Sequence, residues 1–165
     1  VRGGAIPKEF IPAIKDGSRS ALQSGASGYP VVDVRVVLYD GSFHEVDSSE
    51  MAFNMAASMA VRDGILKAKP VLLEPLMKLS IVTPSQFLGE ILGDLNTRRV
   101  HIESVETREA LSTVRCLAPL AEIFGYAGDL RSLSQGRANH TMEFYCYQEL
   151  PPQLAQQFRP RVAVK

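Results

Sequence analysis

The stretch KLSIVTPSQFLGEILGDL, residues 78–95, decides the fold of the most regular part of the chain. Its first five residues alternate polar and apolar side chains, which predicts a half-buried strand. Thr83 as the cap, Pro84 at the first helical position and Gln86 three residues past the cap then predict a helix start. The buried face of that helix follows the i, i+3, i+4, i+7 rule and consists of Leu88, Ile91, Leu92 and Leu95.

The same strand and helix pattern recurs downstream. Strands are predicted near residues 100–106 and 111–118, followed by a helix over 127–133 that stops at Gly136. A last strand is predicted to place three side chains on one face, namely Met142, Phe144 and Cys146. The order β-α-β-β-α-β is that of a ferredoxin-like sandwich, in which two helices cover one antiparallel sheet with strand order 4-1-3-2. We therefore predict the α+β class.

The first segment is less regular. A helix that starts near Pro7 and ends near Gly25, with a kink or restart at Pro12, should bury Ile11, Ile14, Ala21 and Leu22. A strand over residues 31–39, closed by an Asp40-Gly41 turn, should follow.

A second helix is predicted to begin at a capping box over residues 47–50, in which Asp47 is the cap, and to run to about Leu66. The spacing of Met51, Met55 and Met59 predicts a core stripe on that helix. The capping box accounts for Asp47 and Glu50 without any acid-base catalysis.

Pro70 and Pro75 lie in the stretch over residues 67–75, which we interpret as the boundary between two segments of the chain. We expect domains at residues 1–70 and 71–150, with a C-terminal tail over 151–165. Cys116 and Cys146 lie in alternating apolar stretches, which predicts free buried thiols rather than a disulfide or metal site. The predicted strand order places one strand between them, too far apart to bridge.

Bulk properties exclude some classes of protein. The 165 residues carry 18 basic and 18 acidic side chains, so net charge does not indicate a nucleic-acid partner, and any RNA contact must be local. Apolar runs are far shorter than the roughly 18 residues of a membrane span, and no signal pattern precedes them. We expect a soluble, intracellular protein with no membrane partner.

Several stretches resemble elongation factor G, the GTPase that moves transfer RNAs and message through the ribosome. In the family's order, they are GGAIPKEFIP (3–12), GYPVVDV (28–34), DGSFHEVDSSEMAF (40–53), LLEP (72–75), GDLN (93–96) and PLAEIFGYAGDLRSLSQGR (119–137). The resemblance implies that residues 1–70 are the later half of the fourth domain, a partial ribosomal-protein-S5-like β-α-β segment. It also implies that residues 71–150 are the whole fifth domain.

No phosphate loop of the GxxxxGKS or GxxxxGKT pattern occurs in the chain, so we expect it to hold no cofactor and to catalyse nothing. The resemblance implies that GTP and Mg²⁺ bind in a missing part of a longer GTPase. It further implies the ribosome as partner, and the cytoplasm of a bacterium, or an organelle, as location. The start at Val1 fits this expectation of a longer protein.

The resemblance points to two groups of RNA-contacting residues. The first is the tip of the fourth domain, in the decoding site with message and transfer RNA, and comprises Asp40, Gly41, Ser42, Phe43 and His44. The second faces a large-subunit RNA loop and comprises Arg131, Ser132, Gln135 and Arg137. From the residues alone, His44 could be an ordinary loop histidine. Arg131 and Arg137 could simply be cations that the helix dipole favours near a helix C-terminus. The pair Arg98-Arg99 could contact phosphate or be solvated.

Two positions depart from the family pattern. Val100 and Glu109 stand where glycine is usual, so we expect a rebuilt backbone at both. These departures leave a paralogue in ribosome recycling or protection open. Two alternative functions of a different class also stay open. One is a dimeric ferredoxin-like regulatory module that binds a small ligand, and the other is a hydrolase. We also expect self-association through the bare edge of the strand over residues 31–39.

Overall fold

The computed structural model describes residues 5–25 and 28–158. They form two compact units: the first comprises the described residues up to Pro70 together with Gln153 to Phe158, and the second runs from Val71 to Pro152. The elements in chain order are a 3-10 turn at Lys8–Phe10, α1 Ile11–Ser24, α2 Glu50–Lys67, β1 Leu73–Pro84, a 3-10 turn at Ser85–Phe87, α3 Leu88–Thr97, β2 His101–Arg108, β3 Leu111–Pro119, α4 Leu120–Ile123, α5 Tyr126–Leu133, β4 Asn139–Glu149, α6 Pro152–Ala155 and a 3-10 turn at Gln156–Phe158.

The second unit is a four-stranded antiparallel sheet of order β2-β3-β1-β4 with α3 and α5 in its core packing. This confirms the α+β class, the ferredoxin-like order and the strand order predicted from the sequence. The alternate residues of β1 and β3 that face the helices are buried, because the two strands are central and each pairs on both sides. The centre of this core consists of Leu79, Ile81, Ile91, Leu95, Val114 and Leu130.

The predicted threonine cap is wrong. Strand β1 continues through Pro84, and the Thr83 side chain is fully buried instead of capping a helix. A 3-10 turn then precedes α3, and neither helix start has a side-chain cap. Thr83 pairs with Ser112 of β3, so pairing in the sheet overrides the local capping signal.

A β-bulge overturns the prediction that Phe144 and Cys146 share a face. Phe144 pairs with Met77 and Cys146 pairs with Leu76, which leaves Tyr145 between two successive residues of β1. Successive strand residues point to opposite faces, so the bulge sends Phe144 and Cys146 to different sides of the sheet.

The two cysteines are free thiols, as predicted, and β1 separates their strands. Only Cys116 is buried, whereas Cys146 is half-buried, so the predicted burial is wrong for Cys146. Burial raises the pKa of the Cys116 thiol to about 11. That thiol is therefore neutral near pH 7 and packs as a small apolar side chain.

The hairpin between β2 and β3 keeps a left-handed residue without a glycine. Arg108 pairs with Leu111 across a two-residue loop, and Glu109 adopts φ 55°. The expected rebuilding at this site is therefore wrong, because the glutamate takes up the conformation that glycine would favour. Val100 has no positive φ, and its side chain packs against the core.

The first unit rests on the packing of α1 against α2. A Cβ atom at Gly17 would overlap the backbone of Asn54, so glycine permits the close approach of the two helices. The Asn54 side chain donates to the Ala13 carbonyl at 3.2 Å. Pro12 lies in the first turn of α1, where its missing N–H costs nothing, so it starts the helix rather than kinking it. Ala21 is buried as predicted, whereas Ile11 is exposed.

Helix α2 departs from two predictions. Its cap is Ser49, whose hydroxyl accepts from the Ala52 amide at 3.1 Å, and not Asp47. The methionine stripe is not core, since Met51, Met55 and Met59 are 74%, 57% and 67% exposed. Periodicity correctly marks an apolar face, but α1 contacts a different face of the helix.

The predicted strand over residues 31–39 is not assigned as a strand, so the described order here is helix, unpaired segment, helix. A strand needs a ladder partner, and no strand occurs among the described residues of the first unit. Five side chains of the segment are exposed, namely Val32, Val34, Val36, Val37 and Tyr39. Self-association through this segment stays a prediction.

Two arginines after α3 organise the helix side of the second unit. Arg99 makes a two-point ion pair with Glu74 of β1, at 2.7 and 2.9 Å, and its Nε donates to Glu122 of α4 at 2.8 Å. Arg98 bonds to Asp94 of α3 at 2.9 Å and to Asp129 of α5 at 2.8 Å. The hydrogen bonds to Glu74 raise the pKa of Arg99 above its ordinary value, so the guanidinium stays charged.

We predict that Glu74→Gln lowers the free energy of unfolding of the second unit by about 2–3 kcal/mol, because the Glu74 side chain is only 8% exposed and the arginine loses a charged partner. Denaturant titration followed by circular dichroism measures this. Arg115→Ala is the control, since its pair with Glu106 is open to solvent and should contribute less than about 1 kcal/mol. Equal losses for the two variants would contradict the structural role of the buried pair.

We also predict that Glu109→Gly stabilises the hairpin by about 1 kcal/mol, because glycine adopts a positive φ without the Cβ penalty. Ala110→Gly serves as the matched control, since Ala110 has no positive φ and glycine there only increases the entropy of the unfolded chain. Thermal and urea unfolding should therefore separate the two variants in opposite directions. A destabilised Glu109→Gly protein would show that the glutamate makes a compensating contact.

Candidate nucleic-acid interface

The loop over residues 40–44 is exposed, but its backbone is held from beneath. The Asp40 carboxylate accepts from the Gly41 amide at 2.8 Å. A Cβ atom at Gly41 would lie 2.5 Å from Cδ1 and 2.9 Å from Cγ1 of the buried Ile6, so any other residue here would require the Ile6 side chain to shift. The predicted turn at Asp40-Gly41 is wrong, since the turn lies at residues 45–47.

Phe43 anchors the loop. Its ring lies 5.8 Å from that of Phe10, which stacks in turn on Phe53 at 4.8 Å. Phe53 belongs to α2, so this row of three rings ties the loop to the helix pair. Phe43 is half-buried and its ring is engaged, which gives it a packing contact that the sequence did not predict.

His44 is the exposed ring of the loop, and Ser42 beside it is also exposed. Ser48 fixes the backbone around His44 in both directions, because its hydroxyl accepts from the His44 amide at 3.0 Å and its amide donates to the His44 carbonyl at 3.0 Å. The imidazole is thus presented to solvent from a fixed backbone, as a donor, an acceptor or a stacking surface.

The second predicted group surrounds the end of α5, and its four side chains are all exposed: Arg131, Ser132, Gln135 and Arg137. The helix ends in two left-handed residues, Gln135 at φ 53° and Gly136 at φ 76°. The Gly136 amide donates to the Arg131 carbonyl at 2.8 Å, and the Arg137 amide donates to the Ser134 carbonyl at 3.0 Å. The turn therefore brings Arg131 and Arg137 to one end of the helix.

Ion pairing separates the cations of the second unit into two classes. The paired class comprises Arg98, Arg99, Arg108 and Arg115. Among the described residues, Arg131, Arg137 and Lys78 have no carboxylate within 4 Å, so their charge is not cancelled locally. Arg137 instead lies over the Phe87 ring, 5.8 Å from its centre, and Lys78 lies over Tyr145.

Arg98 and Arg99 are neither a phosphate patch nor solvated side chains, since both are bound to carboxylates within the unit. Sequence reasoning missed the anchors Phe10 and Ser48 and the ring of Phe124, which is 85% exposed between α4 and α5. Gly125 after Phe124, at φ 77°, was the available signal, because a glycine between two helical stretches indicates a sharp turn.

The described part of the chain contains no cluster of three or more side chains able to hold a metal ion. None of the helices in the described ranges has the length and apolarity to cross a membrane.

Comparison with known proteins matches both units. The family model described as elongation factor G, domain IV, matches residues 1–69, and that described as the elongation factor G C-terminus matches residues 71–158. Elongation factor G of Thermotoga petrophila is 59% identical over 155 residues, which is 93% of this chain and 22% of the relative.

A crystal structure of a protein from Thermus thermophilus superposes with a TM-score of 0.85 at 42% identity, over 95% of this chain and 24% of that one. The chain thus spans less than a quarter of the length of these relatives. With family models matched along both units and a relative at 59% identity, the chain belongs to the elongation factor G family.

Proposed function

We propose that this chain is the RNA-contacting, non-catalytic part of a translational GTPase that promotes the movement of transfer RNA and message on the ribosome. The observation that carries the proposal is the match of the first unit to domain IV of elongation factor G, combined with a fixed loop that presents His44 to solvent. A protruding imidazole on a held backbone suits contact with an unpaired base or a phosphate.

The two sites have different parts in the proposal. The loop over residues 40–44 acts on the transfer RNA and message in the decoding site, where His44 makes the contact and Phe43 keeps the loop in place through Phe10. The end of α5 contacts large-subunit ribosomal RNA, with Arg131 and Arg137 directed at phosphates and Gln135 as a neutral donor. The Ser132 hydroxyl donates to the Gly128 carbonyl at 3.1 Å and keeps its lone pairs free to accept from RNA.

The proposal assigns GTP and Mg²⁺ to a part of the protein outside this chain, and places the protein in the cytoplasm with the ribosome. The chain then works as a lever whose position depends on the nucleotide state elsewhere. Its own residues bind and orient RNA, and none of them takes part in phosphate chemistry.

We predict that His44→Ala, introduced into a full-length protein that contains this chain, slows single-turnover translocation on the order of tenfold, as expected when one contact of about 1.4 kcal/mol is lost. The rate of GTP hydrolysis should remain unchanged, because the loop acts only on the RNA. Quench-flow kinetics measure the two rates side by side.

His101→Ala is the matched control, since His101 is an exposed histidine on β2, outside both proposed sites. It should change neither rate. Translocation at the wild-type rate by the His44 variant would make that residue an ordinary loop histidine.

We further predict that Arg131→Ala weakens binding to large-subunit RNA and lowers the slope of log affinity against log salt by about 0.7–0.9, the effect of losing one phosphate contact. Arg115→Ala provides the comparison, because its charge is already paired with Glu106 at 2.6 Å. Filter binding over a salt series gives both slopes. Identical slopes for wild type and the Arg131 variant would exclude Arg131 from the phosphate contacts.

A further inference from the structure

The turn between α4 and α5 holds an aromatic ring out in water. Phe124 is 85% exposed, the highest value of any phenylalanine or tyrosine in the described part of the chain. It ends α4 in an extended conformation, with φ −65° and ψ 120°, and Gly125 then turns the chain left-handed into α5. The backbone therefore directs Phe124 outward between two short helices.

This turn is clamped on both sides by one guanidinium. Arg98 donates to the Glu122 carbonyl at 2.7 Å, before the turn, and to the Asp129 carboxylate at 2.8 Å, after it. The same guanidinium lies 5.0 Å from the centre of the Tyr126 ring, which is buried beneath it. The backbone that carries Phe124 is consequently held in place before any partner arrives, which lowers the entropy cost of binding.

A groove begins at the residue after Phe124. It has a volume of about 180 Å³ and includes Gly125, Ala127, His140 and Met142 in its lining. The half-buried imidazole of His140 lies edge-on to Tyr126, with 6.4 Å between the ring centres, and makes no side-chain hydrogen bond to another described residue. An exposed ring beside a small groove with a free donor and acceptor is suited to one planar, polar-edged group.

The charge nearby favours a nucleic acid. Arg131 lies five residues beyond Tyr126 on α5, which is about 7.5 Å along the helix axis and, at about 3.6 residues per turn, on a different side of the helix from the buried Tyr126. Its charge is not cancelled by any described carboxylate, unlike that of Arg98. Aromatic stacking on bases next to unpaired cations is the usual arrangement for binding unpaired nucleotides.

We propose that Phe124 stacks on an unpaired nucleobase of large-subunit ribosomal RNA, with the groove at Gly125 and His140 taking the edge of that base and Arg131 the neighbouring phosphate. This inference rests on the proposed function and adds a base-reading residue to a surface otherwise assigned to phosphates.

The test uses the absence of tryptophan from the sequence. In the 165-residue chain, Phe124→Trp introduces a sole tryptophan at the proposed contact, and Phe158→Trp introduces one at a half-exposed site elsewhere. Each protein is titrated with protein-free large-subunit RNA. Stacking should quench the fluorescence at position 124 and leave that at position 158 unchanged.

Affinity measurements complete the test. Phe124→Ala should weaken RNA binding on the order of tenfold or more, and Phe124→Leu should weaken it nearly as much, because leucine keeps the apolar surface but cannot stack. Both variants should fold normally, because Phe124 is exposed and contributes little to the core, and unchanged melting curves verify this.

Several results would overturn the inference. If Arg131→Ala weakens binding and the Phe124 variants do not, the nucleobase contact fails while the proposed function stands. If intact large subunits bind the leucine variant normally and the alanine variant poorly, the partner is an apolar protein surface. If position 124 in a full-length protein is shielded from acrylamide before ribosomes are added, another part of that protein covers it. If wild type binds neither the RNA nor the subunit, the large-subunit part of the proposed function fails as well.

Discussion

The two-point ion pair between Arg99 and Glu74 is the constraint on which the helix side of the second unit depends. It connects the residues after α3 to the start of β1, and the bond from Arg99 to Glu122 extends the connection to α4. Arg98 continues it from α3 to α5 through Asp94 and Asp129. The exposed end of α5 and the turn with Phe124 both rely on this network for their position. Two of the cations that a charge-based search would assign to RNA are therefore structural.

In the first unit, aromatic rings rather than ion pairs hold the exposed site in place. Its loop over residues 40–44 has few polar contacts of its own, and the row of Phe43, Phe10 and Phe53 supplies the fixed support. The loop backbone is further restricted by the close approach of Gly41 to Ile6 and by the hydrogen bonds between Ser48 and the His44 backbone. This arrangement suits the contact with RNA that we propose for His44, because the anchoring ring and the exposed ring belong to adjacent residues.

The sequence predicted the sandwich well because its signals are periodic. Alternation in β1 and β3 and the helical spacing from Leu88 to Leu95 reflect burial, and burial follows from the sheet order. Prediction from the sequence failed where two local signals competed, and where packing against another element determines which face is buried. Asp47 and Ser49 are both good caps, and only the start of α2 distinguishes them. The methionines of α2 form a real apolar face, but spacing alone cannot say which face a neighbour covers.

The sequence identified the residues of the candidate sites but not the contacts that these residues make. The resemblance selected both groups of residues, yet the division of the arginines into paired and unpaired ones also depends on carboxylates that lie 23 to 31 residues away in the chain, such as Glu122, Glu74 and Asp129, and no local pattern reveals these. The same holds for Phe43, whose role as an anchor depends on Phe10 at the other end of a helix and a loop.

The difference between paired and unpaired arginines also bears on the competing interpretation of Arg131 and Arg137, in which both cations are simply attracted to the negative C-terminal end of the α5 dipole. At this helix end the Leu130 carbonyl accepts from Ser134, and the Arg131 carbonyl accepts from the Gly136 amide. Neither guanidinium makes a hydrogen bond to these carbonyls within the described part of the chain, so the dipole offers only the weak, screened attraction of an exposed site, about 0.3–1 kcal/mol. A chain with no net charge can still offer phosphate a local positive surface, because its other arginines in this unit are neutralised by their own carboxylates and these two are not.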